Sequence, residues 1–134
     1  MNYLDKLNRE QLTAVKHMDG PCLVMAGAGS GKTKVLTSRI AYLIESGIHP
    51  YNILAITFTN KAANEMKERV ASMCSHASDG ILISTFHSAC VRILRRDIGH
   101  LEGYDRSFTI FDDDDASKLL NEICKSLNID TKQF

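Results

Sequence analysis

Residues 22–33 read CLVMAGAGSGKT, in which a short apolar run leads into a loop with glycine at three alternate positions. The apolar run, residues 22–26, is too short for a helix and is typical of a strand covered on both faces. After the loop, apolar residues recur with helical spacing, and Gly47 is a typical helix stop. The stretch therefore predicts a strand, a glycine loop and a helix in immediate succession.

The alternation of strand and helix continues along the chain. Residues 53–56 and 81–83 are short apolar runs, and each precedes a polar segment and a stretch of helical periodicity. An earlier helix is predicted to begin after Asn8, because Gln11 stands at the spacing of a capping-box partner, and to end near Asp19 and Gly20. This order predicts an α/β domain, a parallel sheet flanked by helices, with ligands at the carboxyl ends of the strands.

Composition narrows the class of protein. The 134 residues suit one compact domain, and 16 Lys and Arg balance 16 Asp and Glu, which excludes a polycation that holds nucleic acid by net charge alone. Residues 1–100 carry twelve basic and eight acidic side chains, whereas residues 101–134 carry four and eight. Four cysteines form no CxxC pair, and neither a leader nor an apolar run of membrane-spanning length is found, so we expect a cytoplasmic protein with no membrane partner.

The glycine loop has the chemistry of a phosphate site. Residues 26–33 match the Walker A pattern, except that Ala26 replaces the first glycine. Such a loop directs backbone N–H groups at phosphate oxygens, and glycines allow the backbone conformations that this requires. Lys32 is expected to reach the outer phosphates, and the Thr33 hydroxyl is expected to hold Mg²⁺. The flanking strand and helix favour this interpretation over a simple glycine turn.

Gln11 has two interpretations at this stage. Its position three residues after Asn8 is that of a capping residue. Its side-chain amide can also pair bidentately with the edge of adenine, as glutamine does in DNA recognition. The residues alone favour capping and leave adenine recognition open.

Four segments resemble the first four motifs of the UvrD/Rep/PcrA-type DNA helicases of superfamily 1. They are residues 7–11 (LNREQ), 26–33 (AGAGSGKT), 56–63 (ITFTNKAA) and 84–88 (STFHS). Their order and spacing also agree with that family. The resemblance implies a P-loop NTPase (RecA-like) fold, the use of ATP and Mg²⁺, translocation on single-stranded DNA, and unwinding of duplex DNA in the 3′ to 5′ direction.

The resemblance also implies roles for individual residues. Gln11 corresponds to the family's adenine-reading glutamine, and Lys34 to a nucleotide-contacting position where close relatives often have Arg. The implied nucleotide-binding residues are Gln11, Ala28, Gly29, Ser30, Gly31, Lys32, Thr33 and Lys34, with Lys32 and Thr33 also catalytic and Thr33 the metal ligand. The implied DNA-binding residues are Phe58, Asn60, Thr85 and His87. Base stacking and core packing are both open for Phe58 and His87, judged by the residues alone.

Residues 108–113 (FTIFDD) imitate a Walker B strand that ends in a magnesium-binding acid. Thr109 interrupts the apolar run, and Asp112 with the acids after it is typical of a helix cap and first turn. We therefore interpret residues 108–134 as the truncated start of a helical insertion, and residues 1–107 as the amino-terminal part of a motor domain. The family's later motifs are absent, so the remaining helicase domains of a parent chain are expected partners.

Two other functions are compatible with a phosphate loop. A self-contained P-loop phosphotransferase needs a basic lid, and the acidic segment after Gly99 offers none. A nucleotide-responsive interaction module needs no chemistry. Because hydrolysis requires an acid that orients water and an arginine finger, the helicase interpretation expects weak nucleotide binding without turnover by this chain alone.

Overall fold

The computed structural model describes residues 3–74 and 80–129. The chain divides into two compact units, one extending to Arg92 and one beginning at Ile93. The predicted boundary between residues 107 and 108 lies later in the chain and stays a prediction. Residues 130–134 of the predicted insertion lie outside the described residues.

The first unit begins with a 3₁₀ turn, Tyr3–Lys6, and helix α1, Arg9–Lys16. Asn8 is the N-cap of α1, and its side chain and that of Gln11 form the predicted capping box. The helix ends earlier than predicted, because His17 already has extended backbone angles. The Tyr3 hydroxyl donates a hydrogen bond of 2.6 Å to Glu45, and burial together with this bond raises the pKa of Tyr3.

The strand predicted at residues 22–26 is not formed, and this prediction was wrong. The segment is irregular, and its side chains are exposed, 88% for Leu23 and 89% for Met25. A buried strand needs neighbouring strands to pair its N–H and C=O groups and to cover its side chains. In the described part of the chain, the two strands that form a sheet pair with each other instead.

Helix α2, Lys32–Glu45, follows the glycine loop directly. Gly31 stands at its N-cap with φ of 87°, and Gly47 lies just after its end with φ of 90°, as the sequence predicts for a helix stop. Arg39 joins α2 to α1, since its guanidinium donates a bond of 2.8 Å to the Ala14 carbonyl.

Strands β1, Leu54–Thr57, and β2, Leu82–Thr85, form a parallel pair, with Leu54 opposite Leu82 and Thr57 opposite Thr85. Helix α3, Asn60–Cys74, connects them, and α4, Phe86–Asp97, follows β2. The predicted strands and their parallel direction are therefore confirmed within one or two residues. Both strands end in threonine at the same edge of the sheet.

The core of the first unit lies between the sheet and helices α2 and α3. The side chains at its centre are apolar and buried, and they pack the two strands against the helices that flank them. Its buried members are Ile40, Ile53, Ala55, Met66, Val70 and Ile83.

The second unit contains the end of α4, a 3₁₀ turn at Ile98–His100, and helix α5, Asp113–Ser126. Asp112 caps α5, and Asp115 completes a capping box with it, which confirms the helix start and excludes a Walker B strand there. Helix α5 has no buried residue. Among the described residues, no helix is both long and apolar enough to cross a lipid bilayer.

Candidate nucleotide site and adjoining aromatic edge

The glycine loop closes on itself through two hydrogen bonds. The Ser30 amide and hydroxyl both donate to the Gly27 carbonyl, at 3.3 and 2.7 Å. Gly29 and Gly31 have φ of 73° and 87°, in the left-handed region where glycine is favoured. Ala28, Gly29 and Ser30 are exposed, so the loop is open to a ligand.

Lys32 folds back over the loop that precedes it. Its ammonium donates to the carbonyls of Ala26 and Gly27, at 3.1 and 2.8 Å. These are neutral partners, and a phosphate oxygen is a stronger acceptor for an ammonium group. The ammonium is thus held beside the backbone of the glycine loop.

Thr33 lies in the first turn of α2, and its side chain is exposed. No group of three or more His, Cys, Asp or Glu side chains that could hold a metal occurs among the described residues. Mg²⁺ fits here when a nucleotide supplies phosphate oxygens, since this cation retains waters and takes few protein ligands. The exposed loop and the Lys32 ammonium are groups of the kind that bind nucleotide phosphates, and the Thr33 hydroxyl is a group that could hold the accompanying metal.

The Gln11 side chain forms hydrogen bonds both to the glycine loop and to the N-cap residue of α1. Its Oε1 accepts from the Asn8 amide at 3.0 Å, and its Nε2 donates to the Ser30 carbonyl at 3.0 Å. A Cβ placed on Gly31 would lie 3.0 Å from that Nε2, so glycine also gives the amide its space. An amide oxygen accepts two bonds and its nitrogen donates two, so these contacts leave capacity for a base edge.

Lys34 contacts the segment that precedes α1. Its ammonium donates to the Lys6 carbonyl, which ties the start of α2 to the segment before α1. Lys34 and Gln11 together hold residues 6–11 against the loop. Arg39, which sequence analysis did not single out, supports the same arrangement from the other end of α1. No local pattern marks Arg39, because its partner lies 25 residues away.

Cavities surround the loop on two sides. One of about 290 Å³ is lined by residues that include Gln11, Gly27, Ser30 and Lys32, and it brings the predicted adenine-reading and phosphate-binding residues together. A second, of about 340 Å³, is lined by Lys32, Thr33 and Phe58 among others. The phosphate loop and the carboxyl end of β1 therefore share a cavity.

The predicted DNA-binding residues lie at the edge where β1 and β2 end. Phe58 is 91% exposed, and Asn60 and His87 are also exposed. Core packing of Phe58 is thus excluded in this structure. Its ring instead meets that of Phe86, with the centroids 6.2 Å apart and the planes 50° apart.

Thr85 differs from the other three predicted residues, since it is only 7% exposed. Its hydroxyl accepts from the Ser88 amide at 3.3 Å and donates to the Ser88 hydroxyl at 3.0 Å. The Thr85 side chain therefore forms hydrogen bonds with the first turn of α4. Sequence analysis did not count Phe86 among the site residues. The signal that could have identified it is its position directly after a strand.

Comparison with known proteins identifies the family of the chain. The chain matches the UvrD/REP helicase N-terminal domain family over residues 7–134. It belongs to that family. It is 56% identical over 132 residues to "ATP-dependent DNA helicase PcrA" of Staphylococcus aureus (strain Mu50 / ATCC 700699), with 98% of the chain covered. It is 57% identical over 136 residues to the PcrA helicase of Staphylococcus epidermidis (strain ATCC 12228 / FDA PCI 1200), with the whole chain covered. The chain spans 18% of the length of each relative.

Proposed function

We propose that this UvrD/REP-family chain is the nucleotide-binding amino-terminal part of an ATP-dependent 3′–5′ DNA helicase. The observation that best supports this proposal is a set of hydrogen bonds. The Gln11 side-chain amide and the Lys32 ammonium both donate to backbone carbonyls of the same glycine loop, which precedes α2. The names of the PcrA relatives support the same reaction class. In this proposal the parent fold is a RecA-like P-loop NTPase, of which the chain holds an incomplete part.

Each residue of the site has a role in the proposal. The N–H groups of residues 28–31 and the Lys32 ammonium bind phosphate oxygens, while the Thr33 hydroxyl binds Mg²⁺. Gln11 pairs with adenine through the capacity left by its two contacts, and Lys34 steadies the segment that carries Gln11. Transfer of the terminal phosphoryl group of ATP to water, with ADP as the leaving group, would release the free energy for movement along DNA, and Mg²⁺ held by Thr33 would offset charge on the phosphates.

The exposed edge after β1 and β2 serves single-stranded DNA in this proposal. Phe58, Asn60 and His87 contact the strand there, and Thr85 supports them. The cavity lined by Lys32, Thr33 and Phe58 offers a direct path between the nucleotide and this edge. The other domains of the parent chain are further partners, because this chain spans 18% of the relatives' length, and duplex DNA is the substrate that the name of these DNA helicases suggests.

The proposal also includes the cellular compartment of the protein. All four cysteines, Cys22, Cys74, Cys90 and Cys124, are free thiols. Free thiols suit a reducing compartment, since disulfides form mainly in oxidising ones. We therefore propose a cytoplasmic protein.

The test measures the thermal unfolding midpoint with and without millimolar ATP and Mg²⁺. A ligand at a hundredfold excess over its Kd stabilises the native state by about 2.7 kcal/mol, so we expect a raised midpoint. Lys32→Ala should abolish the rise, whereas Lys67→Ala, which removes an exposed lysine of α3, should keep it. An unchanged midpoint in the wild-type chain, or an equal rise in Lys32→Ala, would contradict a phosphate site. Phosphate transfer from ATP to a small acceptor would instead favour the phosphotransferase.

A further inference from the structure

Phe58 and Phe86 are brought together by the sheet. Each follows a strand directly, Phe58 after β1 and Phe86 after β2. Because Thr57 and Thr85 are paired in the parallel register, the residues that follow them emerge side by side. The two rings approach to 6.2 Å between centroids, within the range at which aromatic rings attract each other.

The two rings remain open to solvent in spite of this contact. Phe58 is 91% exposed and Phe86 is 54% exposed. A phenylalanine pair that served packing alone would have most of its surface covered by neighbouring residues. Most of the apolar area of this pair is instead available to a flat apolar ligand.

We propose that Phe58 and Phe86 form one stacking platform for the bases of single-stranded DNA, with Phe86 as a base-contacting residue beside Phe58. The inference rests on the proposed function and deepens it by adding a residue to the site. Every base has a π-face, so aromatic platforms bind single strands with little sequence preference. The platform lies within residues 1–100, which carry twelve basic and eight acidic side chains, a balance that suits a phosphate backbone.

Thr85 is a positioning residue for this platform. It is 7% exposed, so its hydroxyl is closed to a base. Its bonds to the Ser88 amide and hydroxyl fix the first turn of α4, where Phe86 is the first residue. Thr85 therefore affects DNA binding indirectly, by orienting the Phe86 ring.

The experiment uses the full-length gene product and two fluorescent oligonucleotides of equal length, one of thymidines and one of abasic sites. Stacking contributes a factor of about 5 to 150 in affinity per base. Phe86→Ala should weaken thymidine binding within that range and change abasic binding little. Phe86→Tyr, which keeps an aromatic ring, should bind like wild type, and Phe86→Leu, which keeps apolar volume, should bind like Phe86→Ala.

The double variant tests whether the rings form one platform. If they share a base, Phe58→Ala combined with Phe86→Ala should lose less affinity than the product of the two single losses. Losses that multiply would overturn the shared platform. Thr85→Val removes the hydroxyl and should lower the thymidine-to-abasic affinity ratio, whereas Thr85→Ser should keep it.

Tyr51→Ala is the matched control. Tyr51 is 75% exposed and lies in a 3₁₀ turn, Pro50–Asn52, that precedes β1, at the opposite end of the strand from Phe58. We expect it to bind both oligonucleotides like wild type.

Besides multiplying losses in the double variant, three further results would overturn the inference while leaving the proposed DNA binding in place. The first is that Phe86→Ala loses the same affinity for both oligonucleotides. The second is that Phe86→Leu binds thymidine strands with wild-type affinity. The third is that the wild-type protein binds thymidine and abasic strands with equal affinity. A wild-type protein that binds neither oligonucleotide would contradict the proposed function, and the inference would fail with it.

Discussion

Gln11 shows how a single side chain can serve both a helix and a ligand site. Its oxygen completes the cap of α1 while its nitrogen holds the Ser30 carbonyl of the loop. The two interpretations of Gln11 that the sequence left open are therefore compatible. The capping contact is confirmed, and adenine recognition stays a prediction.

Replacing Gln11 by Glu separates these two roles. A carboxylate still accepts from the Asn8 backbone N–H and is favoured in the first turn of a helix. The free energy of unfolding should therefore fall only by the contribution of the lost bond to Ser30, about 0.5 to 1.5 kcal/mol. The carboxylate has no hydrogen to donate to Ser30 or to adenine, and its charge repels phosphate, so ATP affinity should fall at least tenfold. Urea denaturation and ATP titration check the two expectations, with Lys16→Ala as the control on the same helix. Unchanged ATP affinity in Gln11→Glu would contradict a nucleotide role.

At the scale of elements, α1 and α5 begin in the same way. Each has a capping side chain that accepts from the amide three residues later, with that residue's side chain reaching back. The pattern is local in the sequence, and both helix starts were predicted from it. The two helices differ in their tertiary packing, because Val15 of α1 is fully buried whereas α5 has no buried residue.

The cap of α5 can be tested at Asp112. Its carboxylate accepts from the Asp115 amide at 2.8 Å, and loss of an N-cap costs about 0.5 to 2 kcal/mol. Asp112→Ala should therefore speed hydrogen exchange at the first amides of α5, while Asp112→Asn, which can still cap, should resemble wild type. Neither variant should change ATP·Mg²⁺ affinity. A large loss of magnesium-dependent ATP binding in Asp112→Asn would revive the Walker B interpretation.

At the scale of the whole molecule, two positions for a catalytic acid, the segment that imitates Walker B and the cavity beside Thr33, hold acids that already have partners. Asp112 and Asp115 are used in capping α5, and Glu65, which lines the cavity beside Thr33, pairs with Arg69. We expect the 134-residue chain to release phosphate from ATP no faster than Lys32→Ala, with or without single-stranded DNA. A DNA-stimulated rate well above that of Lys32→Ala would contradict this expectation.

The sequence by itself determined the features that depend on neighbours three or four residues apart. The caps at Asn8 and Asp112, the glycine stop at Gly47 and the helical periodicities all rest on such contacts. The positions of β1 and β2 also followed from local apolar runs. In the helices the interacting groups lie within one turn, so the local pattern is enough to predict them, whereas for the strands the local pattern gives only the position and not the pairing.

Tertiary structure decided the features in which the partner is distant along the chain. The apolar run at residues 22–26 stays irregular because no strand within residues 3–74 and 80–129 pairs with it, whereas the similar runs of β1 and β2 pair with each other. Lys34 binds a carbonyl 28 residues away, and Phe58 meets Phe86 through the register of the sheet. Such contacts depend on which elements meet in space, because the free energy of strand pairing and side-chain burial is gained only when both partners are in place.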